Sequence, residues 1–307
     1  MKKIEVSILL PVYNVSLYIE ECLISLSNQT FINFEIIAID DGSSDNSLVL
    51  LNKYSKHEPR LFVFENKLNK GISYTLNKGL KLCKGDYILR MDGDDVSDSK
   101  RIEKKIDFLK KNPQYDVVGC SMNTIDDKGV FLGKKIHLFD QELIYKTRFL
   151  ASPLSHIWMA KKFVYETLGG YRDLDGVEDY DFLLRAIDSG LSVTNIENYF
   201  GYDVRINREG NTISSLGSYQ RDMFEYVKLL SNDRIFNKSD RFPKGKPKKV
   251  KNNKYDLTAR VLSIYISSNG LKKFLFLFLF LFMTVFSHHH RKYIIYKIKY
   301  NLLTKLI

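Results

Sequence analysis

The sequence predicts an α/β fold built on a mostly parallel sheet. Strand-length apolar runs at 4–10, Phe34 to Ile39, Leu61 to Phe64 and Tyr87 to Met91 alternate with helix-length segments. That rhythm is the mark of strand–helix–strand units. Three of these runs also end in polar or special residues: Tyr13-Asn14, Asp40-Asp41, and Asp92-Gly93-Asp94-Asp95. Parallel sheets bind ligands outside the carboxyl ends of their strands, so the three ends should line one crevice.

The elements follow in order. The first run is expected to stop at Pro11, which has no N–H to give the ladder. Leu17, Ile19, Cys22, Leu23 and Leu26 recur at helical spacing. Further helices are expected over Ser47 to Tyr54 and Gly71 to about Cys83. Arg101 to Lys111 is amphipathic, with Ile102, Ile106 and Leu109 on one face, and it stops before Asn112-Pro113. Val117 to Cys120 reads as a strand, and Lys161 to Leu168 as a short helix halted by Gly169-Gly170. Glu178-Asp179-Tyr180-Asp181 opens a helix through Asp188, with Gly190 as C-cap. Acids also favour a helix's first turn for electrostatic reasons, a competing account strongest for Asp181.

With 307 residues and 44% apolar content, the chain can bury one large α/β domain, or one domain plus an appendage. Cys22, Cys83 and Cys120 match no zinc spacing and read as buried thiols in a reducing compartment. Met1-Lys-Lys-Ile-Glu-Val lacks the features of a secretory signal, which predicts a cytoplasmic catalytic part. The net charge of +11 is uneven: from Arg241 onward 15 Lys and Arg face one acid, Asp256. Residues 1–238 are therefore read as the catalytic domain, 239–256 as a Pro/Gly/Lys-rich linker, and 257–307 as a helical tail. Phe274 to Phe286 is almost all Phe and Leu between Lys272-Lys273 and the 288–292 His/Arg/Lys run. Its 13 residues fall short of the ~20 that cross a bilayer. Basic flanks favour peripheral attachment of 271–299 to the anionic inner face of the cell membrane over a buried or protein-binding helix.

The carboxylates at 92, 94 and 95 carry the chemistry. Crowded acids repel one another unless a cation offsets them. Oxygen ligands on a short loop suit Mg²⁺ or Mn²⁺, which also hold substrate phosphates. Asp95 fits a plain polar turn equally well.

In order along the chain, Ile8 to Asn14, Ile39 to Asp45, Asn69 to Ile72, Gly85 to Asp95, Arg101 to Lys104, Gly169 to Tyr171 and Glu178 to Asp181 resemble the motifs of family 2 glycosyltransferases. The resemblance implies the GT-A fold, a Rossmann-like domain, and an inverting enzyme using a nucleotide-diphospho-sugar, with UDP expected. It places Pro11 and Tyr13 against the nucleobase, Asp41 on a uracil-type N3–H, and Asp40 beside that loop. It puts Asp92 on the ribose and, with Asp94, on the metal, and Asp179, then Glu178, as general base. Arg205, in the Tyr202 to Asn207 stretch, resembles a late motif and would add a cation near the diphosphate; a surface arginine is the alternative. The segment Ser155-His156-Ile157-Trp158-Met159 departs from the family pattern, and His156 and Trp158 are acceptor-site candidates there, with a structural histidine and a core aromatic whose N–H is satisfied as the alternatives. A bacterial surface-glycan or lipid-linked acceptor is expected by analogy. A silent nucleotide-sugar-binding module is the alternative function. Nucleic acid is disfavoured as a partner because the tail's basic residues interleave with apolar runs and the body is slightly acidic.

Overall fold

Among the described residues, nine strands, numbered β1 to β9 in chain order, form one mixed sheet in the order β3-β2-β1-β4-β8-β6-β9-β5, with β7 paired to β6. The computed structural model describes residues 3–174, 176–206, 212–249, 253–267, 270–285 and 287–305. The parallel half comprises β1 (Val6–Val12), β2 (Phe34–Asp40), β3 (Leu61–Glu65) and β4 (Tyr87–Arg90). Between them run α1 (Ile19–Ser27), α2 (Ser47–Ser55) and α3 (Ile72–Leu80). β1 and β2 are buried along their whole length, as continuous apolar strands covered on both faces must be.

The second half is where the sheet ceases to be parallel. β5 (Val96–Ser97) and α4 (Arg101–Lys111) precede β6 (Val117–Ile125), β7 (Phe131–Lys135) and α5 (Gln141–Thr147). β8 (Met159–Lys161) then enters antiparallel between β4 and β6 and leads into α6 (Lys162–Leu168). After α7 (Glu178–Asp188), the 13-residue β9 (Val193–Arg205) pairs parallel with β6 and antiparallel with β5.

The strand expected to stop at Pro11 instead runs to Val12, with Pro11 in register with Ile39. Pro11 stands near the strand's end, and past it the Val12 carbonyl takes the Asp41 N–H at 2.8 Å. Gly169 and Gly170 end α6 with φ of 67° and 78°, a conformation that costs glycine nothing.

Two compact units divide the chain: Met1–Tyr145 with Ser152–Glu209, and Lys146–Ala151 with Gly210–Ile307. In the first, apolar clusters fill both faces of the sheet. The second holds α8 (Thr212–Phe236), α9 (Asn253–Ser267), α10 (Gly270–Thr284) and α11 (His288–Lys305). Helix α8 (Thr212–Phe236), which the sequence reading groups with the first domain, thus falls in the same unit as the C-terminal helices. Within that unit Glu225 of α8 accepts from Lys228 at 2.9 Å and, on α11, from Lys292 at 3.0 Å and Tyr296 at 3.2 Å.

Candidate active site

The β1–β4 pairing sets Leu9 opposite Arg90, and β1–β2 sets Val12 opposite Asp40. Tyr13, Asp41 and Asp92 therefore leave three neighbouring parallel strands at the same edge of the sheet. Pro11 is buried within β1, while Tyr13 is 46% exposed and offers the ring surface.

The loops beyond β1 and β2 interlock through side chains. Asn14, at φ 51°, donates its N–H to Ser43 Oγ at 3.0 Å, and its Oδ1 accepts from Ser44 N at 2.8 Å. Val15 N donates to Ser47 Oγ at 2.9 Å and Ser16 N to Asp45 Oδ2 at 2.9 Å. Asp40 Oδ2 accepts from Ser43 N at 2.9 Å, so this acid closes its own turn, while its buried Oδ1 has no hydrogen-bond partner. Asp41 anchors the 66–71 segment. Its Oδ1 accepts from Asn66 Nδ2 at 2.7 Å and Lys70 N at 2.9 Å, its Oδ2 from Gly71 N at 2.9 Å. Three of a carboxylate's roughly four acceptor positions are filled, leaving one on Oδ2.

The 92–95 turn brings its acids together unevenly. Asp95 N approaches the Asp92 carbonyl at 3.4 Å, which folds positions 92 and 95 toward each other. One donor atom each from Asp92, Asp95 and His156 lie within 4.8 Å of one another. His156 Nε2 stands 2.8 Å from Asp92 Oδ2. Of the two expected ligands, Asp92 is in this group and Asp94 is not, while the turn brings in Asp95. His156, expected at an acceptor site, sits against Asp92. Two carboxylates and an imidazole suit Mn²⁺ better than Mg²⁺, which prefers oxygen ligands alone. The charges answer each other. Burial pushes the Asp95 carboxyl well up, helped by Asp94 and Asp92. Burial would also raise Asp92, but His156 and Arg90 outweigh it and hold the carboxyl well below its usual range. His156 is raised in turn, because Asp92 overcomes the desolvation that opposes its charge.

Arg90 joins this cluster to a second one. The guanidinium is 4% exposed; Nε lies 3.5 Å from Asp92 Oδ1, and Nη2 donates to Glu178 Oε1 at 3.1 Å. Glu178 begins α7 and is pushed up to about 7 by burial, with Arg90 opposing and Asp179 adding to the rise. Asp179 is half-buried. Asp181 is fully buried and paired with Arg185 at 2.8 Å, which fixes it as a structural acid of α7. Arg90 escaped the sequence reading; its one visible signal is a charge inside an apolar strand.

α4 braces the strand ends from below. Arg101 and Lys105 are fully buried; Arg101 Nη2 donates to the Arg90 carbonyl and Lys105 Nζ to the Ile157 carbonyl at 2.7 Å. Burial lowers the Lys105 ammonium to about 7.

Two expectations are corrected. Arg205 is 2% exposed and its guanidinium is engaged by the protein itself. Nε donates to the Asp94 carbonyl at 2.9 Å, Nη1 to Asp126 and Asp127 carbonyls at 2.8 and 3.1 Å, and Nη2 to Glu21 at 2.6 Å. Asp95 Oδ1 accepts the Arg205 N–H at 2.7 Å. Arg205 therefore pins the acidic turn and is not a free cation for a diphosphate. Asn207, at the end of its motif, lies outside the described residues. Trp158 is wholly buried, stacks on Phe182 at 5.5 Å and donates to Tyr165 Oη at 3.0 Å. Its faces are core surfaces with the N–H satisfied, unavailable to a sugar.

Comparison with known proteins agrees with this architecture. The family model for glycosyl transferase family 2 matches residues 7–168. The putative glycosyltransferase EpsE of Bacillus subtilis is 34% identical over 206 residues, 66% of this chain and 73% of that protein. Chondroitin synthase of Escherichia coli is 29% identical over 72% of this chain, which spans 32% of the longer enzyme. Among solved structures, S. aureus TarS 1-349 in complex with UDP-GlcNAc aligns at TM-score 0.60 and 22% identity, covering 73% of this chain and 66% of that one. The mannosyltransferase PcManGT of Pyrobaculum calidifontis, solved with GDP-Man and Mn2+, aligns at TM-score 0.58 and 16% identity over 98% of this chain and 86% of its own. The likeness to both structures is one of fold. The chain belongs to glycosyl transferase family 2 and is a glycosyltransferase.

Proposed function

We propose that the protein transfers a sugar, with inversion, from a UDP-sugar to a hydroxyl of a bacterial surface glycan or its lipid-linked precursor at the cytoplasmic face of the membrane. The observation that carries this reading is the pair of acid clusters, Asp92/Asp95/His156 and Glu178/Asp179, joined through Arg90. Tyr13 stacks on the nucleobase, and the open position on Asp41 Oδ2 accepts its N3–H. A divalent cation held by Asp92, Asp95 and His156 would offset charge on the departing nucleoside diphosphate. Asp94 remains the ligand that family resemblance implies on the same turn. Asp179 accepts the proton of the acceptor hydroxyl as its oxygen attacks the anomeric carbon opposite the diphosphate. Glu178 is committed to Arg90 and positions the start of α7, which leaves its neighbour as the base. The relatives that support this reading include an enzyme named as a chondroitin synthase and a fold neighbour solved with UDP-GlcNAc.

The test is sugar transfer from UDP-sugars with Mn²⁺ present, followed as UDP release. Asp179→Asn is expected to slow transfer by about 10²–10⁴-fold, the usual worth of a general base. The thermal upshift caused by UDP and Mn²⁺ should persist in that variant. Transfer at the unaltered rate would remove Asp179 from the role.

A further inference from the structure

Phe274, Leu275, Phe278, Leu279, Leu281, Phe282 and Val285 of the α10 segment are all solvent-exposed, from 41% to 70%. Their spacing, i, i+1, i+4, i+5, i+7, i+8 and i+11, makes one continuous stripe. The opposite side is no more polar: Phe280 is buried, and Phe and Leu fill every position from 274 to 282. A helix that is apolar all round belongs in a protein core or in hydrocarbon, and this one is not in a core. α11 carries its own exposed stripe, Ile295, Ile298 and Leu302, beside exposed Arg291, Lys297, Lys299 and Lys305. No single helix among the described residues is long and apolar enough to cross a membrane. Phe274–Thr284 and His288–Lys305 meet at 110°.

We infer that α10 and α11 form a monotopic wedge seated in one leaflet of an anionic phospholipid bilayer. α10 enters the acyl chains while α11 lies along the headgroups. Charge decides between occupants. Residues 271–307 contain seven Lys and Arg and no Asp or Glu, so a second copy on this face would set like charge against like. A leaflet supplies hydrocarbon and phosphate together. Length agrees: the apolar stretch 274–285 is about 18 Å long, against ~30 Å for the hydrocarbon core and about half that for one leaflet. Lys292 is held by Glu225, which leaves Arg291, Lys297, Lys299 and Lys305 as the headgroup-facing cations. The side chains of Lys272 and Lys273 lie outside the described residues. The inference rests on the membrane reading above for its purpose, but the binding is measured apart from catalysis.

The full chain is sedimented with vesicles of phosphatidylcholine alone or mixed with phosphatidylglycerol. Binding is expected with the mixed vesicles and should weaken with salt. Phe278→Glu with Phe282→Glu should abolish it. Lys297→Gln with Lys299→Gln should weaken it on the order of thirtyfold, about fivefold per cation. UDP-sugar hydrolysis in the same preparations should be unchanged, so its loss would indict the catalytic reading and not the anchor. Retention on RNA with no vesicle binding would overturn the inference. So would vesicle-free dimerisation that Phe278→Glu abolishes, or equal binding to both vesicle types that the Lys changes leave untouched.

Discussion

Arg90 is the sharpest point at which to perturb the site, because one guanidinium serves Asp92 through Nε and Glu178 through Nη2. Arg90→Met leaves both carboxylates without their shared cation, and Glu178 has only 6% of its side chain exposed. Breaking a buried pair in this way costs about 3–5 kcal/mol. For a domain of this size each kcal/mol lowers Tm by about 2–4 °C, so a fall of roughly 6–20 °C is expected. Arg90→Lys keeps a charge but not the fork, and cannot serve two acids held by different atoms. It should stay folded, yet lose transfer to acceptor by on the order of 10²-fold, the cost of an Asp179 misplaced by ~1 Å. Hydrolysis of the donor by water, which demands less of the base's position, should fall less. The double-mutant cycle isolates the contact. Arg90→Met combined with Glu178→Gln should be less destabilised than the sum of the single changes by about 0.5–3 kcal/mol. Tm or urea melts give the stability side, UDP release with and without acceptor the kinetic side. Strict additivity, or equal loss of transfer and hydrolysis in Arg90→Lys, would refute the bridging role.

Two further outcomes are expected. Burial lowers His137 to about 3, with Lys135 and His156 adding to the fall and the Pro153 carbonyl opposing it. A depressed histidine contributes stability above its unfolded pKa near 6.5 and loses it as pH falls toward about 3, at up to ~1.4 kcal/mol per pH unit; urea melts across that window should be flatter for His137→Gln. Arg205→Ala should cost about 1–3 kcal/mol, mainly by leaving three carbonyls without their donor, since Glu21 is more than half exposed and stays solvated; Arg205→Lys should not rescue it, whereas a merely surface arginine would cost under 0.5 kcal/mol by the same melts.

The parallel half was legible because each strand is a mainly apolar run closed by turn residues, and residues 34–39 and 61–64 fall almost on β2 and β3. β9 was not legible. Val193–Arg205 mixes Asn, Glu, Tyr and Gly, and its place is fixed by pairing with β6 and β5, which no local pattern carries. The same limit applies to the site. Asp92 and Glu178 stand out by their neighbours in sequence, whereas Arg90 acquires its role only where β4 and α7 meet, 88 positions apart. Arg101 and Lys105 read as the polar side of an amphipathic helix. They prove to be buried because their long stems carry the charge to carbonyls at the strand ends. Trp158 and Arg205 misled for the opposite reason: residue types suited to sugars and phosphates serve equally well as core filler and loop clamp.

The interlocked loops after β1 and β2 have a consequence for how substrate is met. The amides of Asn14, Val15, Ser16, Ser43, Ser44 and Ser47 all donate to side chains of their own or the facing loop. In hydrogen–deuterium exchange such amides open with the cooperative unit beneath them, so this rim should be protected nearly as long as the sheet floor. A ligand entering this cleft then meets a rim already shaped on this side, with little ordering entropy left to lose on arrival.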